Sequence, residues 1–367
     1  MNSIIFRYLL KNFVVVFIAA LAALAFVVML FDMIDLLRAS AKREHVAFTS
    51  ILLLTLLKLP QTIQLILPFI VLLAGLIFGL KMSRTSELVV MRSVGLSVWN
   101  LILPVISSVF LLGVVVVTIF NPFSSLMAER YARLSERVGM TYSSPFSWTE
   151  DGLWLREVRP DNTTMVLRAN RIRNDGRQVF FSNPSVFELS AEGTLLSQTE
   201  GKSGVLQSNA FVIRNAFVIY PDQESGALEP EQSFQTDLDL EKILEKFDDP
   251  NTMSFWRFPR FIGFLKEAGF ATNIHEMYFH ELLAMPIVLV AMVLVAIAFA
   301  LPQTTRQGHV LARAIGCLAC GFFLYFSLRV TGALGISNGL PMALAAFGPA
   351  VIGIFLSLTA LLHFEDG

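Results

Sequence analysis

Residues 13–31 read FVVVFIAALAALAFVVMLF, and this unbroken apolar run decides the fold. A membrane-spanning helix needs about 20 mainly apolar residues at a rise of about 1.5 Å each. Ala20, Leu21 and Ala22 resemble the cleavage site of a signal peptide. However, the apolar core of a signal peptide is only about 7–15 residues long, which is shorter than this run. The sequence therefore predicts a retained transmembrane helix.

Five further apolar runs are predicted to span the membrane. They cover residues 51–80, 101–120, 282–301, 310–330 and 341–362. Only 16% of the 367 residues are charged, whereas soluble domains average about 25%. The net charge of −1 argues against a nucleic-acid-binding protein, which normally carries a strongly basic face. Composition therefore places the chain among polytopic membrane proteins.

Basic residues in the short loops predict the orientation of the spans. The residues that fall on one common side are Arg7, Lys11, Lys81, Arg84, Arg92, Arg306 and Arg313. Lysine and arginine in short loops favour the cytoplasm, so both ends of the chain are predicted to be cytoplasmic. The segment between the third and fourth spans is then external. Arg38, Lys42 and Arg43 break the trend, because they follow the first span on the external side.

The segment between the third and fourth spans changes to short alternating stretches from about residue 142 to 237. Stretches such as 153–158 and 164–171 are separated by turn residues such as Asp175-Gly176. Several short strands with regular turns are typical of a β-sandwich or a jelly roll. The predicted fold is an α-helical polytopic membrane protein with six transmembrane helices, split three and three by an inserted β-jelly-roll domain. We expect the first three spans in residues 1–120, the inserted domain with a helical tail in 121–275, and the last three spans in 276–367.

No catalytic motif emerges from the sequence. Gly201-Lys202-Ser203 has the end of a phosphate-binding loop, but position 196 is a leucine where the first glycine belongs. His275 and His280 are five residues apart, which turns one about 140° away from the other on a helix and disfavours a zinc pair. Cys317 and Cys320 lie inside an apolar run and are expected to be packing residues. We therefore predict no enzyme, no cofactor and no metal.

The loop after the second span, residues 83–95, is informative because it combines helix signals with apolar side chains. Thr85 can cap a short helix and Gly95 can end it, yet Leu88 and Met91 would face the cytoplasm. Such a helix either rests on the lipid surface or docks into a partner protein. The residues alone leave both alternatives open.

Residues 86–92 read SELVVMR and are followed by Gly95, and this segment resembles the signature of the LptF/LptG permease family. Further matches are Leu59-Pro60, Leu67-Pro68, Asn121-Pro122 and residues 255–265, so the resemblance covers essentially the whole chain. Within the family, residues 35–38 and the short tail after the sixth span are more similar to the LptG branch, with the LptF branch as an alternative.

The resemblance implies a permease subunit of an ABC exporter that extracts lipopolysaccharide from the periplasmic leaflet of the bacterial inner membrane and passes it to a periplasmic bridge. The implied partners are an LptF-type permease, an LptB-type cytoplasmic ATPase dimer, an LptC-type single-span protein and an LptA-type bridge. The β domain is then periplasmic, and residues 83–95 form a coupling helix that meets the ATPase. The residues expected at that contact are Glu87, Leu88, Met91 and Arg92. The alternatives are a permease for another envelope lipid or lipoprotein, and a scaffold without transport.

The resemblance also gives the external basic cluster a role. Arg38, Lys42, Arg43 and Lys58 are expected to bind lipid phosphates, because charge-assisted contacts to phosphate are favourable. The alternative is a loop balanced by acidic neighbours. The sequence departs from family members that carry a lysine just before the equivalent of Asp35, because position 32 is an aspartate here, and the basic role would pass to Arg38. The side chains expected to point inside the jelly roll and line the lipid path are Phe180, Phe187 and Phe211.

Overall fold

The computed structural model describes residues 3–40, 47–85, 98–138, 146–149, 152–159, 163–169, 171–174, 178–190, 192–207, 210–221, 226–236, 250–267, 269, 271–300 and 309–366. They form two compact units, each described here by itself. The helical unit comprises Met1–Thr141, Ser254–Phe258 and Asn273–Gly367. The second unit comprises Tyr142–Met253 and Pro259–Thr272 and contains the sheet.

The described helices fall into three groups along the chain. Before the sheet come α1 (Ser3–Ser40), α2 (Phe48–Arg84), α3 (Val98–Val115) and α4 (Asn121–Arg137), with a π-helical segment, Val116–Phe120, joining α3 to α4. After the sheet come the 3-10 turns Pro250–Thr252 and Phe255–Arg257 and then α5 (Phe258–Glu267). The last group is α6 (Asn273–Ala300), α7 (His309–Ile336) and α8 (Met342–Asp366).

Among the described residues, six helical stretches are long and apolar enough to cross a membrane. They are Ile4–Ser40, Phe48–Ser83, Ile102–Arg137, Asn273–Ala300, Val310–Ile336 and Met342–His363. Three precede the sheet in the chain and three follow it, as the sequence predicts, so the predicted fold class is confirmed. The predicted domain boundaries stay a prediction.

Helix α6 forms the centre of the helical unit and packs against α2, α3, α7 and α8. Of its most apolar stretch 78% is buried, against 11% for α1 and 17% for α7. The crossing of α2 with α6 is very close, because a Cβ placed on Gly79 would lie 2.4 Å from the Cβ of Ala300. Helices α1 and α7 both pack against α2 and leave most of their apolar surface uncovered within this chain.

Helix α1 continues nine residues past its apolar run, and it packs there with the beginning of α2 and with α4. Leu36 of α1 with Ile51 and Leu54 of α2 form a small buried cluster. Tyr131 and Leu134 of α4 pack against it. The residues directly after the first apolar run are therefore helical, where the sequence suggested a loop. The residues directly after Phe120 are helical as well, where the sequence suggested the start of the β domain.

In the part of the second unit that the structure describes, ten strands form one antiparallel sheet. The strands are β1 (Phe146–Thr149), β2 (Gly152–Val158), β3 (Thr164–Ala169), β4 (Arg171–Asn174), β5 (Val179–Ser182), β6 (Ser185–Leu189), β7 (Leu195–Glu200), β8 (Ser203–Gln207), β9 (Ala210–Ile219) and β10 (Ala227–Gln235). Their order is β1-β2-β3-β6-β7-β9-β8-β5-β4, and β10 pairs with β9.

A bend crosses the sheet. It lies where the chain passes from β3 to β4, from β5 to β6, and from β7 to β8. Strand β9 runs through it and pairs with β7 at one end and β8 at the other. Asn183 (φ 48°) and Asn215 (φ 52°) supply the left-handed backbone that the bend requires. At Gly201 the neighbouring strand comes so close that a Cβ would lie 2.2 Å from Cγ2 of Ile213. The sheet therefore curls into a half-barrel, which is the form that the predicted inserted β domain takes.

Candidate functional site

The half-barrel encloses a continuous apolar face. Its buried side chains include Leu155, Met165, Leu167, Val179, Phe181, Val186, Leu206, Phe211, Ile213, Val218 and Phe234. Phe181 and Phe211 pack edge to face with their ring centroids 5.0 Å apart. Because the alternation of side chains shifts by one residue at each bend, buried positions on both sides of the bend belong to one face. This face forms the apolar interior of the half-barrel.

The three phenylalanines predicted to point inward do not share a face. Phe211 is 1% exposed and lies on the buried face. Phe180 is 38% exposed, and its neighbours Val179 and Phe181 are buried, so it lies on the opposite face. Phe187 follows the buried Val186 and also lies on that opposite face. Contact of any of the three with lipid stays a prediction.

A polar cluster lies on the apolar face where β2 and β6 end. Arg159 Nη1 is 2.8 Å from Glu188 Oε1, and Ser197 donates a hydrogen bond of 2.8 Å to Glu188 Oε2. The Arg159 guanidinium also lies 6.0 Å from the ring centroid of Phe234. Sequence reasoning missed this cluster, because a carboxylate in an alternating strand predicts the solvent face. Glu188 instead pairs in register with the buried Met165.

Next to this cluster, the end of β10 is tied to the end of β2. The Thr236 hydroxyl donates a hydrogen bond of 2.6 Å to Glu157 Oε2. Thr236 and Phe234 are both buried. The contact joins two strands that are far apart in the order of the sheet.

An ion pair lies between α1 and α2, where α1 leaves its apolar run. Lys58 Nζ is 2.6 Å from Asp32 Oδ1, and the Thr62 hydroxyl donates a hydrogen bond of 3.1 Å to Asp32 Oδ2. Asp32 is only 7% exposed. Because Lys58 already has this partner, its charge is largely neutralised within the chain.

The other predicted phosphate contacts differ in their surroundings. Arg38 is exposed and forms no ion pair with another described residue. Lys42 and Arg43 lie outside the described residues. Lys58 and Arg38 thus lie at the same end of α1 and α2 but differ in their surroundings, since Lys58 is paired with Asp32 and Arg38 is exposed.

Helix α4 adds basic residues that the sequence analysis did not single out. Arg130, Arg133 and Arg137 are exposed on α4, and Arg133 pairs with Glu129 one turn away. Through the small cluster of α1, α2 and α4, these arginines lie at the same end of the helices as Arg38. Exposed arginines therefore lie on both helices at this end, and on α4 they alternate with the acidic residues Glu129 and Glu136.

A further charge lies inside α7. Arg329 donates hydrogen bonds of 3.1 Å and 2.8 Å to the Tyr325 hydroxyl, and its Nη1 is 3.9 Å from Glu281 Oε2 on α6. Its side chain is 49% exposed. Placing an ionisable group within a membrane span costs free energy, and such groups commonly serve a function. Arg329 is therefore a candidate functional residue, which the sequence analysis did not single out.

The chain that precedes α6 is hydrogen-bonded to the π-helical segment and to the first residue of α4. Asn121 accepts a hydrogen bond of 2.8 Å from the Phe255 N–H, and Trp256 Nε1 donates one of 3.1 Å to the carbonyl oxygen of Thr118. Phe255 also stacks on Phe279 of α6, with ring centroids 5.4 Å apart. We call these contacts of Asn121, Thr118, Phe255, Trp256 and Phe279 the stem clip. Within the helical unit, they connect the segment of the chain before the sheet to the segment after it. A π segment frequently marks a functional position in a helix.

The predicted coupling residues Glu87, Leu88, Met91 and Arg92 lie outside the described residues. The structure describes only the approach to them. Helix α2 ends at Arg84, and the Thr85 N–H and hydroxyl both donate to the carbonyl oxygen of Lys81. The coupling helix at 83–95 therefore stays a prediction.

Comparison with known proteins identifies the family. The chain is 23% identical over 359 residues to lipopolysaccharide export system permease protein LptG of Haemophilus influenzae, covering 95% of this chain and 96% of the relative. It is also 23% identical over 317 residues to the LptG of Escherichia coli K12, covering 84% of each chain. At this identity the choice between the LptG and LptF branches stays open. The family described as lipopolysaccharide export system permease LptF/LptG matches residues 7–363, and the chain therefore belongs to this family of lipopolysaccharide export permeases.

Proposed function

We propose that this multi-pass inner-membrane protein is one of two permease subunits of an ABC exporter, which extracts lipopolysaccharide from the periplasmic leaflet and passes it to a periplasmic bridge. The observation that carries the proposal is the family match over nearly the whole chain, joined to a half-barrel with a buried apolar face. The chain is a transporter subunit and not an enzyme. Within the proposal, a separate LptB-type ATPase dimer hydrolyses ATP.

The proposed orientation puts both termini in the cytoplasm and the half-barrel in the periplasm. The basic residues Arg7, Lys11, Lys81 and Arg84 in short loops support it. In this orientation residues 83–95 face the ATPase. Glu87 would transmit its movement to α2, with Leu88, Met91 and Arg92 beside it at the contact.

The proposed surface for an LptF-type partner permease consists of the outward faces of α1 and α7. These are the two least buried spans, and both flank α2. On α7 the outward face carries Phe322, Phe323 and Phe326, all more than half exposed. Large aromatic side chains of this kind suit either lipid or the facing span of a partner. We place LptC-type and LptA-type partners on the periplasmic side, after the half-barrel.

The proposed headgroup site lies where α1 and α4 converge. Arg38 and the α4 arginines offer planar guanidinium groups, which bind phosphate in a bidentate manner. Lys42 and Arg43 follow four and five residues after Arg38 in the chain. Lys58 contributes only when a lipid phosphate displaces Asp32, because its present partner is a buried carboxylate at 2.6 Å. Arg38 is therefore the central residue of the proposed site.

The proposed path of the acyl chains is the buried face of the half-barrel, with Phe211 at its centre. Phe180 and Phe187 lie on the other face. They would contact lipid only if it also passed along the outside of the sheet. The arrangement thus predicts different lipid contacts for phenylalanines that are close in the sequence.

Lipid photocrosslinking in membranes tests the proposal. A diazirine-bearing amino acid replaces Arg38, Phe211 or, as the matched control on the opposite face, Phe180. Each variant is assembled with its permease and ATPase partners, with and without ATP. We expect lipopolysaccharide adducts at position 38 without ATP, at position 211 only with ATP, and none at position 180. Intact complexes that give no lipopolysaccharide adduct at positions 38 and 211 would refute the substrate assignment, and adducts with a different lipid would support another lipid permease.

A further inference from the structure

We propose that the buried face of the half-barrel binds the oxygen atoms of an acyl chain as well as its hydrocarbon. The proposed subsite consists of Thr199 and Arg159, which both carry a buried polar atom without a hydrogen-bond partner among the described residues. It takes a neutral carbonyl or hydroxyl group attached to an apolar chain. The proposal concerns the sheet unit alone. It rests on the proposed function and deepens it by naming the kind of acyl chain that is recognised.

Thr199 places a hydroxyl group in the middle of the apolar face. The residue is 0% exposed, and its partners in the register of the sheet are Val186 on β6 and Val218 on β9, which are also buried. Its Oγ1 has no hydrogen-bond partner in the part of the chain that the structure describes. A buried hydroxyl without a partner destabilises a fold, whereas valine has nearly the same shape and no such cost. A ligand oxygen that reaches Thr199 would complete this hydrogen bond.

Arg159 offers a second open position on the same face. Its Nη1 pairs with Glu188 at 2.8 Å and its Nη2 donates to the Met165 sulfur at 3.3 Å. Its Nε is buried and has no partner within the described ranges. The Nε–H group can only donate, so it requires an acceptor such as a carbonyl oxygen. Because Glu188 already balances the guanidinium charge, a neutral acceptor suits this position better than a phosphate.

Ser197 fixes the arrangement of the two positions. Its hydroxyl donates a hydrogen bond of 2.8 Å to the second carboxylate oxygen of Glu188, which in turn holds Arg159. Thr199 lies two residues further along β7 on the same face, about 7 Å away. A ligand that satisfies both positions therefore carries two oxygen atoms along its apolar part, as an acyl ester with a hydroxyl group on its chain does. A plain hydrocarbon chain would leave both positions unpaired.

The two positions differ in how a ligand reaches them. The side chain of Arg159 is 20% exposed, whereas Thr199 is enclosed. An acyl chain therefore reaches Thr199 only when it displaces the atoms that cover this residue. We expect the contact with Thr199 only for a chain that lies fully inside the half-barrel.

Replacing the hydroxyl of Thr199 distinguishes a ligand contact from a structural one. Thr199→Val removes the unpaired hydroxyl and keeps the shape of the side chain. In the assembled exporter, we expect the ATP-dependent lipopolysaccharide adduct at position 211 to fall about tenfold, since one hydrogen bond to the lipid is lost. The adduct at position 38 should stay the same, and the midpoint of thermal unfolding should stay the same or rise. The matched control is Thr194→Val, whose hydroxyl already has a partner in an exposed turn, and it should leave the adduct at position 211 unchanged.

The outcomes separate the subsite from the proposed function. An unchanged adduct at position 211 in Thr199→Val, or a lower adduct accompanied by a lower unfolding midpoint, overturns the subsite and leaves the proposed function standing. Absence of lipopolysaccharide adducts at both positions in the assembled exporter with Thr199 intact overturns the proposed function and the subsite with it.

A pair of synthetic amphiphiles tests the chemistry of the subsite. One is a long-chain fatty-acid methyl ester with a hydroxyl group on its chain, and the other is the same ester without that group. Each is added to the detergent-solubilised exporter with ATP, and its adduct at position 211 is measured. We expect about tenfold more adduct with the hydroxylated ester, and no difference between the two esters in Thr199→Val. Arg159→Lys keeps the positive charge but lacks the Nε–H group, so it should lower both adducts. Equal adducts of the two esters in the chain that keeps Thr199 would contradict the subsite.

Discussion

Replacing Gly79 by alanine tests whether the crossing of α2 with α6 is as close as the structure has it. The new Cβ would lie 2.4 Å from the Cβ of Ala300, whereas carbon atoms in contact are about 3.5–4.0 Å apart. Both atoms are fixed to the backbone, so no rotamer change relieves the clash and the helices must move apart by about 1 Å. One turn earlier, a Cβ placed on Gly75 would lie 2.9 Å from Ala296 Cβ and from Val293 Cγ2, so the two helices are equally close there and would lose that packing if they moved apart. Since overpacking costs about 1–3 kcal/mol, we expect Gly79→Ala to lower the free energy of unfolding by about 2 kcal/mol.

Equilibrium unfolding of the purified chain in lipid nanodiscs or mixed micelles measures this loss. The matched control is Gly348→Ala in α8, where the nearest atom is 3.7 Å away in Leu344 of the same helix. Alanine there should be neutral or stabilising by up to about 1 kcal/mol, because alanine has the higher helix propensity. Adding Ala300→Gly to Gly79→Ala should recover at least half of the loss. Equal stability of the two alanine variants, or no recovery from Ala300→Gly, would refute the packing argument.

Three further predictions concern the stem clip, the α1–α2 ion pair and the coupling loop. Asn121→Ala removes the acceptor for the partly buried N–H of Phe255 and should lower the free energy of unfolding by about 1 kcal/mol, and Trp256→Phe should lower it by about as much; unfolding curves with single and double variants measure both. Lys58→Met should cost about 1–2 kcal/mol, less than the loss for a fully buried pair because the lysine side chain is 36% exposed. Asp32→Asn should restore part of that loss in the double variant, and an additive double-mutant cycle would contradict the pairing. Glu87→Ala should reduce co-purification of the ATPase partner while leaving the thermal stability of the permease unchanged, and normal recovery of the ATPase would count against the coupling role.

The spans could be predicted from the sequence because a bilayer demands length and continuous apolarity, and both can be seen in one chain. Helix α4 could not, although Pro122 suits a first helical turn. Its buried face consists of small or polar side chains, namely Asn121, Ser124, Ser125, Ala128 and Ser135. A helix that packs through serine and alanine shows no apolar stripe at a period of 3.6 residues, so its pattern does not differ from that of a polar loop.

The strands of the inserted domain could be predicted, but not which face each side chain occupies. Alternation predicts faces only within an uninterrupted strand, and the bend at Asn183 shifts it by one residue. Phe180 and Phe187 consequently lie on the face opposite Phe211. For Glu188 the sequence is misleading in the opposite direction, because a carboxylate predicts the solvent-exposed face and the residue lies on the buried one. The strand register puts Glu188 opposite the buried Met165, and Arg159, 29 residues earlier in the chain, pairs with its charge there.

The basic cluster after the first span could be predicted from its break with the positive-inside trend, but the sequence did not show which charges are free. Lys58 and Asp32 are 26 residues apart, and only the packing of α1 on α2 brings them together. A lipid phosphate that approached Lys58 would have to displace a carboxylate that is already desolvated and also held by Thr62. A phosphate that approached the exposed Arg38 or Arg130 would meet no such competitor among the described residues. We therefore expect arginines of both α1 and α4 to bind an anionic headgroup. The two helices are held together where Leu134 packs against the cluster that contains Leu36. A substitution that changes the packing of these two helices would then alter lipid binding although no charged residue is replaced.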